Sequence, residues 1–523
     1  MKGLEAPCPA CAAPVRFTVS SSLVTVCTFC HSVVARGDKR LEDLGKVADL
    51  VETDSPLQLD LKGQFQGKRF RLVGRAQYRH AAGGVWDEWY AAFPGNRWGW
   101  LAEAQGRFYL TFERPAAADP ALPALTELEI DQTVQIPPVG PMKVAEIGRA
   151  EALTAAGEIP YRFVPGALHD YADLYGPEDT FATIDQEEDE RRLFLGREVT
   201  LEELGIPASA LGADREPRRI SALQVNCPQC AGPLTLQAPD KCERVTCPNC
   251  ASLLDVNQGT LQYLETLAPG EHHPVIPLGT TGTLGGVEYT VIGFLARSVT
   301  FDSQDYFWTE YLLYQPREGF RWLVHSDDHW SFVRPISAGG VSLSASDARW
   351  EGRKFRLFQR ARATVRHVLG EFYWKVCVGE QVDSADFIAP PDILSIEKTS
   401  GGKSDEEGTK PQAREVSYSL GTYLPHAAVE EAFGVRDLKR GFGVAPNQPA
   451  PVDRRLYRWW GLFAAVLFGL NLLFNTSLAQ GADLGLFFVA LLAVSVIPVC
   501  ALLYGHAFEK SRWQDSQFSP YDS

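Results

Sequence analysis

Methionine is almost missing, at 2 residues of 523, and so is any surplus of positive charge: 50 Lys and Arg face 65 Asp and Glu, for a net charge of −15. That balance disfavours a general affinity for nucleic acid phosphates. Long apolar runs are confined to one stretch near the C-terminus, which excludes a many-spanning membrane protein. Residues 1–7 hold no apolar segment of a secretory signal. Common catalytic signatures are missing too. There is no G-x-x-x-x-G-K-S/T, no G-x-G-x-x-G after a strand, no H-E-x-x-H and no G-x-S-x-G. What remains is ordinary for a globular protein, 45% hydrophobic and 22% charged, in a chain long enough for roughly three to five domains.

Cysteine is where the sequence becomes specific. Eight of the 11 Cys form four C-x-x-C pairs: Cys8/Cys11, Cys27/Cys30, Cys227/Cys230 and Cys247/Cys250. The first two pairs are separated by 15 residues and the last two by 16. Each pair offers two thiolates from a tight turn, and the hairpin between the turns brings four sulfurs around one tetrahedral ion. Two four-Cys zinc ribbons are therefore expected. Their Zn²⁺ should be structural, because four thiolates leave no open position. Disulfides are the alternative, and a reducing compartment disfavours them. Cys242, five residues before Cys247, reads as a spare thiol with no counterpart in the first ribbon. Cys377 and Cys500 lie in apolar stretches and read as small buried hydrophobes.

The chain is also written twice. Gly67-Lys68-Arg69-Phe70-Arg71-Leu72-Val73-Gly74 leads to Trp86-Asp87-Glu88-Trp89-Tyr90, and Gly286-Val287-Glu288-Tyr289-Thr290-Val291-Ile292-Gly293 leads to Trp308-Thr309-Glu310-Tyr311-Leu312. Trp98-Gly99-Trp100-Leu101 is matched by Phe320-Arg321-Trp322-Leu323, Gly157-Glu158 by Gly370-Glu371, and Leu195-Gly196 by Leu420-Gly421. Residues 1–215 and 220–440 are thus two copies of one unit, a ribbon followed by a Trp-rich module. The module alternates charged and apolar residues from Lys68, with a hairpin turn at Pro94-Gly95-Asn96, so a meander, small barrel or sandwich is expected. Helices should be few. Leu41, Leu44, Val47, Ala48 and Val51 suggest one, the capping box at Thr200-Leu201-Glu202-Glu203 another, and residues 426–433 its equivalent. Residues 114–123 and 399–410 read as linkers, and residues 187–190 as a solvated acidic turn.

Near the C-terminus, residues 459–474 are apolar apart from Asn471, and residues 484–504 are 21 residues without a charge. A helix needs about 20 residues to cross the hydrocarbon core. A two-helix transmembrane hairpin is expected. Arg454, Arg455 and Arg458 precede it, Lys510 and Arg512 follow it, and its connection at 475–483 has no Lys or Arg, which puts both ends in the cytoplasm. Trp459, Trp460, Tyr504 and Trp513 fit interfacial belts. The acidic body should stand away from an anionic membrane surface.

Chemistry-bearing candidates are sparse. His325 and His329 bracket Asp327 and Asp328, a pattern that fits a polar turn better than a metal patch. His272-His273 falls in a linker. Glu88 and Glu310 each sit among aromatics in matching strands. Such a carboxylate can have a raised pKa and act as acid or base, although alternation alone places an acid there. Arg97-Trp98 and Arg321-Trp322 could stack bases, but the overall acidity points to core packing.

The paired knuckles, then G-x-x-F/Y-x-x-x-G, W-x-E-W/Y, W-L and G-E, resemble the bacterial domain-of-unknown-function 4178 family across nearly all of residues 1–440. The resemblance implies a β-rich domain without an established activity or catalytic residues, and it hints at a membrane-associated assembly. The expected fold class is multidomain and mainly β (α+β). It comprises zinc ribbons at 1–37 and 220–258, β-rich modules at 55–215 and 274–440, a linker at 441–453 and a transmembrane helical hairpin at 454–510. The expected function is a membrane-anchored cytoplasmic scaffold at the bacterial inner membrane, binding protein partners. The alternatives are an enzyme or regulatory subunit with a small-molecule site in the Trp-rich module, and nucleic acid binding by the ribbons.

Overall fold

The computed structural model describes residues 4–36, 41–47, 55–80, 85–104, 106–114, 122–187, 190–206, 223–238, 241–257, 260–268, 272–301, 303–399, 414–453, 455–477 and 484–521. The alternation that begins at Lys68 continues as one long strand, β1 (Lys68–His80). β2 (Val85–Phe93), β3 (Arg97–Ala104) and β4 (Arg107–Arg114) follow, each antiparallel to the strand before it, and the β2–β3 hairpin turns through Gly95 and Asn96 in left-handed backbone. A second meander comprises β5 (Gly140–Ile159), β6 (Leu168–Tyr175), β7 (Thr180–Glu187) and β8 (Glu190–Val199). The two meanders join at both edges, β4 with β8 and β5 with β1. Eight antiparallel strands therefore close into a barrel that exposes no long sheet edge.

The second copy repeats the circuit strand for strand. Its strands are β9 (Val287–Phe301), β10 (Gln304–Gln315), β11 (Gly319–Ser326), β12 (His329–Pro335), β13 (Arg353–Phe372), β14 (Gln381–Ala389), β15 (Asp392–Thr399) and β16 (Arg414–Leu424). β12 pairs with β16 and β13 with β9 to close it. The barrels touch where β5 meets β16, at Glu146 and Glu415, where Lys398 of β15 reaches Asp131, and where Lys143 of β5 donates to the Tyr418 hydroxyl at 3.1 Å.

Glycine permits each barrel's tightest crossing. A Cβ at Gly74 would lie 2.0 Å from the Glu158 carbonyl oxygen, and one at Gly293 would lie 2.6 Å from that of Glu371. The facing Gly157 and Gly370 have φ of 73° and 89°, which side chains disfavour. The crossing places Glu158 and Glu371 against the ribbons. Each ribbon is a hairpin (Leu4–Pro7 with Pro14–Phe17; Leu223–Asn226 with Pro233–Leu236) plus a small sheet. That sheet pairs with the end of a barrel strand, Thr25 opposite Glu158 and Val245 opposite Glu371.

Two helix expectations change. Residues 41–46 form a strand paired with Ser32–Arg36 in the ribbon sheet, because sheet pairing outweighs the Leu41/Leu44 spacing; Ala48 and Val51 lie outside the described residues. The Thr200 capping box does form, Thr200 N donating to Glu203 Oε2 at 2.9 Å and Glu203 N to Thr200 Oγ1 at 3.2 Å. It caps only a turn, which ends once Leu204 and Ile206 reach the core. In the second copy the equivalent is a helix, α1 (His426–Phe433), buried through Val429 and Phe433. Most of the linkers at 114–123 and 399–410, and residues 188 and 189 of the acidic turn, lie outside the described residues.

Two further helices end the chain, α2 (Arg455–Ser477) and α3 (Leu484–Arg512). Among the described residues one helix is long and apolar enough to cross a membrane, α3 over Phe488–Arg512, and Leu492, Ile497 and Leu503 stand exposed on it. Past α3 the chain returns to barrel two. The buried Arg512 guanidinium donates to the carbonyls of Ala445, Pro446 and Gln448 at 3.0, 2.7 and 2.6 Å. Trp513 packs on Phe358 and Ile388. Trp513 is therefore buried in protein instead of lying in a belt, and barrel two sits at the end of α3. Burial of the indole and of the paired guanidinium outweighs their affinity for a membrane interface. Cys377 and Cys500 are exposed, contrary to their apolar surroundings in sequence, the first beside the cavity described below and the second on α3.

Candidate functional site

The four sulfurs of Cys8, Cys11, Cys27 and Cys30 lie within 4.8 Å of one another, as do those of Cys227, Cys230, Cys247 and Cys250. Cys8 to Cys30 and Cys11 to Cys27 are 3.7 Å apart, and the matching pairs of the second cluster are 3.8 Å apart. A disulfide needs about 2.05 Å. The edge of a tetrahedron drawn around an ion at about 2.3 Å from each sulfur is about 3.8 Å. The donor set fits a metal ion, and each cluster could hold one.

Cys242 is in neither cluster. Its thiol points to Glu371 Oε2 at 3.4 Å, while the Gln237 and Ala238 amides donate to the same carboxylate at 2.7 and 2.9 Å. Burial raises the pKa of Glu371, and these donors pull it back. In copy one Glu158 receives the Thr18 and Val19 amides at 2.7 and 3.0 Å, the Ser22 hydroxyl at 2.5 Å and the Thr18 hydroxyl. Each barrel thus holds its ribbon through one buried glutamate.

The barrel interiors set ionisable groups among aromatic and aliphatic side chains. Side chains alternate along each strand, so a register fixes which residues face inward. One continuous cavity of ≈ 2200 Å³ is lined from both barrels and reaches Phe442–Asn447 and Ser511–Gln517. Three carboxylates face it from equivalent positions in the two copies. Glu88 and Glu310 stand on β2 and β10, opposite Ala102 and Val324. Asp173 and Asp386 stand on β6 and β14, and each accepts a hydroxyl from the neighbouring strand, Thr183 at 2.7 Å and Ser395 at 2.6 Å. Asp185 and Glu397 complete the set on β7 and β15. Half-buried indoles line the same space, Trp86 in one copy and Trp308 and Trp322 in the other.

The two copies neutralise these acids differently. In barrel two Arg297 reaches Glu310 at 3.6 Å and Glu397 at 2.8 Å. Burial works against its charge, but the two glutamates outweigh burial and raise its pKa. In barrel one the strand position of Arg297 belongs to Tyr78, since Tyr78 faces Trp86 across the sheet as Arg297 faces Trp308, and the Tyr78 hydroxyl turns to those of Tyr90 and Tyr161. Among the described residues no basic side chain lies within ion-pair distance of Glu88, Asp173 or Asp185. Burial, with Asp185 beside it, pushes Glu88 up to about 8, although Tyr90 donates to it at 3.0 Å. Burial and then Glu146 push Asp173 up to about 8. Glu146 is shifted the opposite way. Burial would raise its pKa, and His80 at 3.3 Å overrides that and lowers it.

The remaining candidates fall elsewhere. Asp327 and Asp328 form the two-residue turn between β11 and β12, His325 stacks on Trp330, and His329 bonds Tyr423 and Phe442, so no metal patch forms there. His272 packs against Phe307. The Arg97 guanidinium lies over Phe112, and Arg321 pairs with Glu318 at 3.0 Å. Sequence reasoning singled out Glu88 and Glu310 but missed Asp173, Asp185, Asp386, Glu397 and Arg297. Their strands could have been aligned between the copies, but nothing local shows that they face one space.

Fold and site together define a duplicated β-barrel protein with carboxylates facing its cavity, each barrel carrying a four-cysteine cluster on a ribbon. The chain belongs to the family described as a domain of unknown function, DUF4178, whose model matches residues 58–201 and 277–425, together more than half of the chain. No curated protein matches it.

Proposed function

We propose that this is a membrane-attached binding protein whose paired barrels enclose a small-molecule ligand. The carrying observation is the ≈ 2200 Å³ cavity faced by three equivalent carboxylates from each copy. Enclosed acids oppose folding unless paired, so a barrel interior selected for packing alone would be apolar. This reading displaces the scaffold as the leading one, because each ribbon turns a face into its own barrel. Protein partners remain a proposal for the ribbon tips, where Phe29 is exposed.

The ion in each cluster is taken as zinc, held by Cys8, Cys11, Cys27 and Cys30 or by Cys227, Cys230, Cys247 and Cys250 in a closed structural site. We place the protein in a bacterial inner membrane with two spans and with body and tail in the cytoplasm. The docking of Arg512 and Trp513 on barrel two favours an even number of crossings. If α3 crosses, α2 must cross back. The cytoplasmic side keeps the thiolates reduced.

The test is native mass spectrometry of the full-length protein from mildly solubilised membranes, followed by denaturation and identification of released small molecules. An organic compound at near-stoichiometric yield is expected. A mass equal to chain plus metal ions, under several growth conditions, overturns the reading.

A further inference from the structure

The two barrels hold the same acids but differ in the cation between them. Arg297 grows from β9, passes beside Trp308 and sets its guanidinium between Glu310 and Glu397. The equivalent acids of barrel one, Glu88 and Asp185, have Tyr78 and Trp86 beside them and no guanidinium between them. Arg192 lies opposite Asp185 on β8, but its guanidinium turns to Glu187 at 3.4 Å. Asp185 and Glu88 therefore feel only part of its charge, and Asp185 feels His169 in addition. Barrel two is in effect barrel one with its cation supplied by the chain.

We propose that barrel one binds a small organic cation, a guanidinium or primary ammonium group, between Glu88 and Asp185 in the place that Arg297 fills in barrel two. The proposal rests on the ligand-binding reading above and names the chemistry of the ligand. Two independent observations support it: a guanidinium already seated on the same pair of positions, and the half-buried Trp86 ring facing the same space. A cation there would gain two charge-assisted hydrogen bonds, with Trp86, itself packed on Tyr78 and His80, walling the space. The copies would divide the work, barrel two self-occupied and barrel one open to solute.

Four probes of similar size test it on the full-length protein in detergent by isothermal titration: butylguanidinium, butylammonium, neutral butylurea and anionic pentanoate. Binding of the two cations at one site per chain is expected, with at least tenfold loss in Glu88→Gln and in Asp185→Asn. Arg297→Met should open a second site, raising the stoichiometry to two. Should that variant fail to fold, Arg297→Gln serves in its place. Binding of butylurea or pentanoate without the cations overturns the inference and leaves the ligand-binding reading standing. Failure of all four probes at millimolar concentration overturns the inference, and the native mass measurement then decides the broader reading on its own. Cation binding that survives both carboxylate variants also overturns it, since the site would lie elsewhere.

Discussion

Ser22 and Cys242 are the same position in the two ribbons, five residues ahead of Cys27 and Cys247, and each donates to the glutamate that its barrel sends into the ribbon: Ser22 Oγ to Glu158 at 2.5 Å and Cys242 Sγ to Glu371 at 3.4 Å. The spare thiol thus has a counterpart after all, a hydroxyl, which a search for cysteine could not find.

The position predicts which cysteines matter for metal. The full-length protein should carry two metal ions by elemental analysis. Cys27→Ser or Cys247→Ser should reduce the content to one and loosen the matching ribbon. Cys242→Ser should leave it at two, and should scarcely alter stability, because the serine repeats what copy one already does.

Removing the glutamate should be far worse. Glu158→Ala strands the Thr18 and Val19 amides and the Ser22 hydroxyl in a buried joint. Hydrogen bonds to a charged group and stranded donors each count for about 1–3 kcal/mol, so a loss of roughly 3 kcal/mol is expected on chemical denaturation. Glu371→Ala should lose somewhat less, since one of its three donors is a thiol.

Arg297 supports a second stability prediction. Arg297→Met leaves Glu310 and Glu397 facing each other without a cation, and breaking a buried pair from one side costs about 3–5 kcal/mol. Adding Glu310→Gln should recover part of that loss. A double variant no better than the single one would show that packing of the arginine stem, not its charge, is what matters.

The pH dependence has a definite sign. Glu88 is pushed up to about 8 by burial and Asp185, whereas an unfolded glutamate titrates at about 4.3. The folded protein therefore keeps a proton that the unfolded chain releases between those values. The stability linked to that proton is full below about 4.3 and is lost as pH rises towards 8. Tyr90, Asp185 and Arg192 are the groups acting on it. Glu88→Gln, neutral throughout, should unfold at about the wild-type temperature near pH 5 and at a higher one near pH 8–9. Asp173, also pushed up to about 8, leaves the variant with a residual slope. A difference that does not change with pH would mean that Glu88 titrates like an exposed glutamate.

Much of this protein is legible in its sequence because the deciding interactions are local. The C-x-x-C spacing requires a knuckle whatever surrounds it, and Asn96 after Gly95 turns a hairpin within four residues. Comparing the chain with itself locates both modules, and the uncharged run at 484–504 announces α3. Where distant partners compete, the sequence misleads. The 41–46 segment has helical spacing and becomes a strand because the ribbon sheet accepts it. The Thr200 capping box forms without a helix because Leu204 and Ile206 are drawn into the barrel core.

By itself, then, the sequence determines the ribbons, the duplication, the strand-rich modules and the apolar C-terminus, each written within a few dozen residues. The tertiary structure alone decides that the meanders close, since β1 meets β5 and β4 meets β8 only across long stretches of chain. Closure makes an inside. It turns acids that read as solvated positions on alternating strands into enclosed, high-pKa groups, and it brings Arg297 to the one pair of acids while leaving the other pair open. A residue's neighbours along the chain cannot specify whether it faces water or a lumen, because that depends on which edge strand arrives to complete the ring.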